Sequence, residues 1–136
     1  MLELILGGAR SGKSRLAERL ATQSGLAVTY IATSQALDGE MSARIQHHRQ
    51  RRPADWGLVE EPLELARALR DNAAPGRCLL VDCLTLWLAN LLDGAENLAP
   101  GADAGALPAF ARERAALLAL VYDVQHVARI EVARFV

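Results

Sequence analysis

Gly7-Gly8-Ala9-Arg10-Ser11-Gly12-Lys13-Ser14 decides how the rest of this chain is read. It fits the pattern G-x-x-x-x-G-K-[ST], in which two fixed glycines, a lysine and a hydroxyl surround the phosphates of a nucleotide. Each residue type has a task. Gly7 and Gly12 accept backbone angles that other residues avoid, so successive N–H groups can turn inward on an anion. Lys13 is placed to reach the β- and γ-phosphate oxygens, and the Ser14 hydroxyl to coordinate Mg²⁺. A helix starting near Ser14 adds its positive N-terminal end. At average residue frequencies the four fixed positions coincide in roughly one of several hundred chains of this length.

The flanks suit the motif. Leu2 to Leu6 is a short, mostly apolar run that reads as a buried strand. Arg15 to Ser24 carries Leu16, Ala17, Leu20 and Ala21 at helical spacing, and Gly25 is a good stop. Strand, glycine loop and helix follow in the order a phosphate loop requires. Next, Ala27 to Thr33 is β-branched and apolar, a second strand. That puts Ala32, Thr33 and Ser34 at its C-terminal end, the edge where an open parallel sheet binds ligands.

Further on, Glu40 to Arg51 reads as a helix capped by Asp38 and ended by Pro53. Trp56 to Glu60 is a short strand. Pro62 suits the first turn of a helix through Leu63, Ala66, Leu69 and Arg70. Cys78 to Asp82 is an apolar strand closing on a carboxylate. Leu84 to Leu92 is apolar almost all round, which demands a core or an interface. Asp93 to Gly105 reads as a loop, and Pro108 opens a helix through Phe110, Leu117 and Leu120. Val121 to Val136 mixes β-branched and charged residues and fits neither period. The expectation is one α/β domain over residues 1–136, of the phosphate-loop NTPase (RecA-like) kind. It has a mostly parallel sheet with helices on both faces and is incomplete at its C-terminus.

Composition narrows the function classes. Fifteen basic residues against 16 acidic ones give a net charge of −1, so nothing global points to nucleic acid or a membrane surface. No apolar run approaches the roughly 20 residues of a spanning helix. Cys78 and Cys83 sit too close along one strand end for a bridge and match no zinc spacing, which suggests a reducing cytoplasm.

Two constellations beyond the loop carry chemistry, each with a plainer alternative. Asp82 is placed like a carboxylate that organises Mg²⁺ with Ser14; alternatively it caps the helix beginning near Thr85. His47 and His48 sit among Arg44, Arg49, Gln50, Arg51 and Arg52. An imidazole there can attack phosphorus while neighbouring guanidinium groups neutralise the phosphate. On residue chemistry alone, a solvated basic helix face explains the stretch more simply. Trp56 and Trp87 read as packing residues, as does Cys83. Glu60 and Glu61 read as surface charges near a helix start.

Taken together, these residues resemble a known family. Gly7 to Ser14, Tyr30 to Ser34, Glu40-Met41, Arg44 to His48, Arg52-Pro53, Trp56, Glu60 and Asp82 to Thr85 are similar, in order, to the bifunctional adenosylcobinamide kinase / adenosylcobinamide-phosphate guanylyltransferases of cobalamin biosynthesis. The likeness runs from residue 2 to about residue 92. It implies two reactions, using ATP or GTP and Mg²⁺. In one, a γ-phosphoryl group passes to the aminopropanol hydroxyl of adenosylcobinamide. In the other, GMP passes from GTP to that phosphate, giving adenosylcobinamide-GDP and pyrophosphate.

The resemblance makes His47 the residue that carries GMP as a phosphoramidate. It maps Ala32, Thr33, Ser34, His48, Arg49, Gln50, Arg51, Glu60 and Asp82 onto nucleotide contacts, and it implies a homo-oligomer. Lys13 is catalytic in the same scheme, stabilising charge on the transferring or leaving phosphate. Family members continue through a further strand, an Asn-Glu-Val-Gly segment and a final strand that this sequence lacks. The expectation is a fragment, or a sequence altered after about residue 120.

Overall fold

A computed structural model describes residues 1–34, 46, 50, 52–93, 101, 103, 107–124 and 129–135. Among these, five strands form one sheet: β1 (Leu2–Gly7), β2 (Ala27–Ala32), β3 (Gly57–Glu60), β4 (Arg77–Asp82) and β5 (Arg129–Phe135). Their order is β1-β5-β4-β2-β3, and every pairing is parallel. Four helices have both ends among the described residues: α1 (Lys13–Gln23), α2 (Leu65–Asn72), α3 (Leu84–Leu91) and α4 (Pro108–Val124); Gln46 and Gln50 are also helical.

A parallel sheet needs cover on both faces, because its crossovers bring helices to each side. The sequence provides two separate cores accordingly. On one face Ile5, Val28, Tyr30, Ala32, Cys78 and Leu80 pack against Ala17 and Ala21 of α1. Those alanines are four apart, one turn of helix, and their small side chains let α1 lie close to the strands. On the other face Ile31, Leu79 and Val81 meet Leu65 and Leu69 of α2, Trp87 and Leu91 of α3, and Leu120 of α4. β2 and β4 are therefore buried on both sides, and both read as near-continuous apolar runs. β1 lies at the sheet's edge; Leu4 and Leu6 there are 54% and 59% exposed.

β1 is thus not the buried strand its apolar run suggests, since Ile5 alone among its residues is buried. Two further readings made from the sequence need correction. The helix after β3 begins at Leu65, not at Pro62. The chain from Pro62 to Glu64 is instead held by Glu61, whose Oε2 accepts the amides of Leu63 and Glu64 at 3.1 and 3.2 Å. Arg67 donates to Oε1 at 3.2 Å. The second correction concerns residues 121–136. Helix α4 continues to Val124, and Arg129–Phe135 is a strand lying between β1 and β4. Trp87 is buried and donates from Nε1 to the Leu63 carbonyl at 2.8 Å, so the apolar α3 is used within the chain's own core.

The Glu61 carboxylate gives a first testable outcome. Desolvation works against its charge, but the two amides and Arg67 outweigh that and hold its pKa below the usual carboxylate value. A lowered folded-state pKa means the stabilisation is present above the ordinary carboxylate pKa and fades as pH falls through the lowered one. Glu61→Ala should lower the unfolding free energy by about 1 kcal/mol at pH 7. In urea melts the gap from the parent chain should close below about pH 4. A gap of the same size at pH 3 and pH 7 would contradict this assignment.

Candidate active site

Because all five strands run the same way, every loop that follows a strand emerges on one edge. The phosphate loop leaves β1 there, Thr33 and Ser34 leave β2, Glu60 ends β3, and Asp82 ends β4. The fold thus gathers these candidates, which are up to 75 residues apart in the chain, along the edge where such sheets bind ligands. β5 separates β1 from β4, so two strand spacings, roughly 10 Å, lie between the loop's strand and Asp82's. Glu60 is four spacings from β1, roughly 19 Å.

The loop has the backbone its glycines imply, for two different reasons. Gly12 caps α1 at φ 85°, a left-handed conformation. At Gly7 the constraint is milder: a Cβ there would meet Ser11 Oγ at 2.5 Å and Ser11 Cβ at 3.3 Å, so the serine hydroxyl would have to turn aside. Arg10 is also left-handed, at φ 57°. Left-handed residues two apart curl the loop so that its amides line a concave nest suited to an anion. Ser11 N–H donates to the Gly8 carbonyl at 3.3 Å and Leu16 N–H to the Gly12 carbonyl at 3.0 Å, tying loop to helix.

Lys13 is only 4% exposed, and its Nζ donates to the Gly8 carbonyl at 2.8 Å. The ammonium therefore bends back across the mouth of the loop. With three donors on Nζ, a phosphate oxygen can join or replace that carbonyl. Ser14 opens the helix beside it, partly buried.

At the end of β4, Asp82 does not cap the following helix. Cys83 holds that position, and its Sγ accepts the Leu86 amide at 3.5 Å. The Asp82 carboxylate turns instead to the face of the sheet that α1 covers, where the Tyr30 hydroxyl donates to Oδ2 at 2.5 Å. Burial, and then the neighbouring Asp82 charge, push the Tyr30 phenol far above its ordinary pKa. Arg52 lies over the Tyr30 ring, 3.5 Å from its centroid.

Thr33 is fully buried and its side chain straps two strand ends together. Its hydroxyl donates to the Cys83 carbonyl at 2.6 Å and accepts the Cys83 amide at 2.9 Å. Asn90 on α3 donates to the Thr33 and Pro62 carbonyls at 2.9 and 3.0 Å, so the ends of β2 and β4 and the start of the α2 segment are fastened together. A cavity of about 170 Å³ lined by Arg52, Pro53, Ala54, Trp56, Gly57 and Leu58 is too small for a nucleotide.

His47, His48, Arg49 and Arg51 lie outside the described residues. Gln50 is helical and exposed. Sequence reasoning gave Tyr30 no role of its own at the site, and placed Arg52 only in the basic stretch around the histidines, not over the Tyr30 ring. A signal for Tyr30 was present: a phenol inside an apolar strand has to find a partner for its hydroxyl.

The family model described as cobinamide kinase / cobinamide phosphate guanyltransferase matches residues 3–130. The chain is 74% identical over 92 residues to the bifunctional adenosylcobalamin biosynthesis protein CobP of Pseudomonas aeruginosa, covering 68% of this chain and 53% of that protein. To the bifunctional adenosylcobalamin biosynthesis protein CobU of Escherichia coli it is 50% identical over 92 residues, 68% of this chain and 50% of the relative. The CobU of Salmonella typhimurium is 48% identical over 99 residues, 71% and 54% respectively. The chain thus spans about half the length of the curated relatives it matches.

Proposed function

The chain belongs to the cobinamide kinase / cobinamide phosphate guanyltransferase family, and on that premise we propose that it is a nucleotide-dependent kinase and guanylyltransferase of cobalamin biosynthesis. The kinase step moves the γ-phosphoryl group of ATP or GTP to the aminopropanol hydroxyl of adenosylcobinamide. The second step moves GMP from GTP to the phosphate so formed. The observation that carries this reading is the curled loop with Lys13 at its mouth, on the same sheet edge as Asp82.

Ser14 and Asp82 are the residues that would hold Mg²⁺. Both offer hard oxygens, and Mg²⁺ at nucleotide sites takes one or two carboxylates and completes its shell with phosphates and water. Bound there, Mg²⁺ neutralises charge on the phosphate oxygens. The loop amides and the Lys13 ammonium hold the polyphosphate and stabilise charge on the group that leaves.

For GMP transfer, a neutral His47 nitrogen attacks the α-phosphorus. The bond from that phosphorus to the bridging oxygen breaks, and pyrophosphate departs. A phosphate oxygen of adenosylcobinamide phosphate then displaces the imidazole, forming the diphosphate and restoring His47. Splitting one transfer into two displacements gives ping-pong kinetics. An imidazole protonated below about pH 6.5 cannot attack, so this half of the activity falls on the acid side. Among the described residues no helix is long and apolar enough to cross a membrane. Cys78 and Cys83 are buried thiols, in keeping with a reducing cytoplasm.

The test is mass spectrometry of the full chain after incubation with GTP and Mg²⁺. The expected result is one GMP adduct on His47, stable to alkali and lost in acid. Protein that phosphorylates adenosylcobinamide yet never carries GMP would reduce the function to a simple kinase. Nucleotide binding without turnover of either kind would make the chain a non-catalytic binder.

A further inference from the structure

Tyr30 places a phenol in the middle of a strand otherwise made of apolar residues and threonine, and it is 3% exposed. The sheet register explains where its hydroxyl goes. Tyr30 lies opposite Leu80, and Asp82 is the next residue of β4 on the same face, one step nearer the ligand edge. The phenol reaches along the sheet toward that edge and donates to Asp82 Oδ2. Its ring face is covered by the Arg52 guanidinium. Three segments that are remote in sequence thus meet at one ring, with the guanidinium over its face and the carboxylate at its hydroxyl. The α3 cap takes no share of Asp82, because Cys83 Sγ occupies it.

We propose that Tyr30 is a positioning residue of the nucleotide site. Its hydroxyl holds the Asp82 carboxylate in one rotamer for the cation that accompanies the nucleotide, and Arg52 fixes the tilt of the ring that carries the hydroxyl. The proposal rests on Asp82 being a cation ligand, as argued above. The reason is organisational. A carboxylate at a strand end has several rotamers, and a hydrogen bond to one oxygen selects among them before the cation arrives, as supporting residues do around metal sites. Arg52 acts through the ring: a cation over an aromatic face is held by the ring's quadrupole and restricts how the ring can turn.

The test uses Mn²⁺ as a spectroscopic substitute for Mg²⁺, with the full chain and a non-hydrolysable GTP analogue. Free Mn²⁺ is read by electron paramagnetic resonance, at a temperature well below the melting point of every variant. Tyr30→Phe keeps the ring and removes only the hydroxyl. It should weaken Mn²⁺ binding to the nucleotide complex by roughly 10-fold or more. Nucleotide affinity measured in EDTA should not change, since Asp82 acts there only through the cation. In the kinase assay the Mg²⁺ concentration for half-maximal rate should rise by a similar factor, with kcat recovered at saturating Mg²⁺. A merely structural role would instead depress nucleotide affinity and melting temperature together.

Arg52→Ala should weaken Mn²⁺ binding in the same direction and add nothing in the Tyr30→Phe background, because its effect passes through the hydroxyl. An additive loss overturns the part assigned to Arg52. Unchanged Mn²⁺ affinity in Tyr30→Phe, with weaker binding in Asp82→Asn, overturns the proposal and leaves the Asp82 assignment standing. Unchanged affinity in Asp82→Asn overturns that assignment and the proposal with it.

Discussion

Lys13→Met is expected to slow both nucleotide-dependent reactions by roughly 10²–10³-fold, the usual loss when one preorganised donor to a developing charge is removed. Methionine keeps an unbranched stem of similar length, so the space now filled by Lys13 stays filled. What disappears is the ammonium at the loop mouth, which in this structure is held 2.8 Å from the Gly8 carbonyl. The same ammonium serves both reactions, since in one the γ-phosphoryl group is transferred away from the β-phosphate, and in the other the two leave together as pyrophosphate. A buried cation contributes little net stability when an apolar residue of similar volume replaces it, so the melting temperature should move by only a few degrees. Rates of adenosylcobinamide phosphorylation and of GMP-adduct formation, each at saturating nucleotide, measure the effect. A loss below tenfold in both would mean that Lys13 does not touch the reacting phosphates.

His47→Asn is expected to separate the two reactions. GMP transfer should fall by on the order of 10³-fold or more, the scale reached when a covalent nucleophile is removed. The adduct should vanish from the mass spectrum. Phosphorylation of adenosylcobinamide needs no imidazole nucleophile and should continue. Asparagine is close to histidine in size and polarity. Persistence of an adduct in this variant would move the nucleophile to another residue, His48 being the first to examine. Loss of both reactions together would show that His47 contributes to nucleotide binding rather than to covalent chemistry.

Much of this site was legible because its signals are local. The phosphate loop is eight consecutive residues, and its flanking strand and helix follow directly. β2 and β4 were legible because strands buried on both faces read as unbroken apolar runs. β5 was missed for the complementary reason. Arg129, Glu131 and Arg134 interrupt its apolar residues, a pattern that suits a half-exposed strand better than one with a parallel neighbour on each side. The start of α2 was misplaced because a proline is permitted in a first helical turn, whereas here Glu61 binds the Leu63 and Glu64 amides before the helix begins. The Tyr30–Asp82 contact joins residues 52 apart, and no periodicity in one dimension encodes it. It needs the register of β2 against β4. His47 drew its assignment from resemblance to a family, and the described residues neither add to it nor subtract from it.

The sheet order carries a consequence for biosynthesis of the chain. β1 is bonded to one neighbour, and that neighbour is β5. During synthesis β1 leaves the ribosome well ahead of β5, and among the described residues it has no other strand partner until residues 129–135 follow. β2, β3 and β4 can associate earlier, since they pair among themselves. Closing a loop of that length before any pairing rewards it is slow. Until then Leu2, Leu4 and Leu6 travel on an unpaired segment, the kind of species that chaperones retain. The phosphate loop that follows β1 is consequently translated long before the strand pairing that anchors it can form.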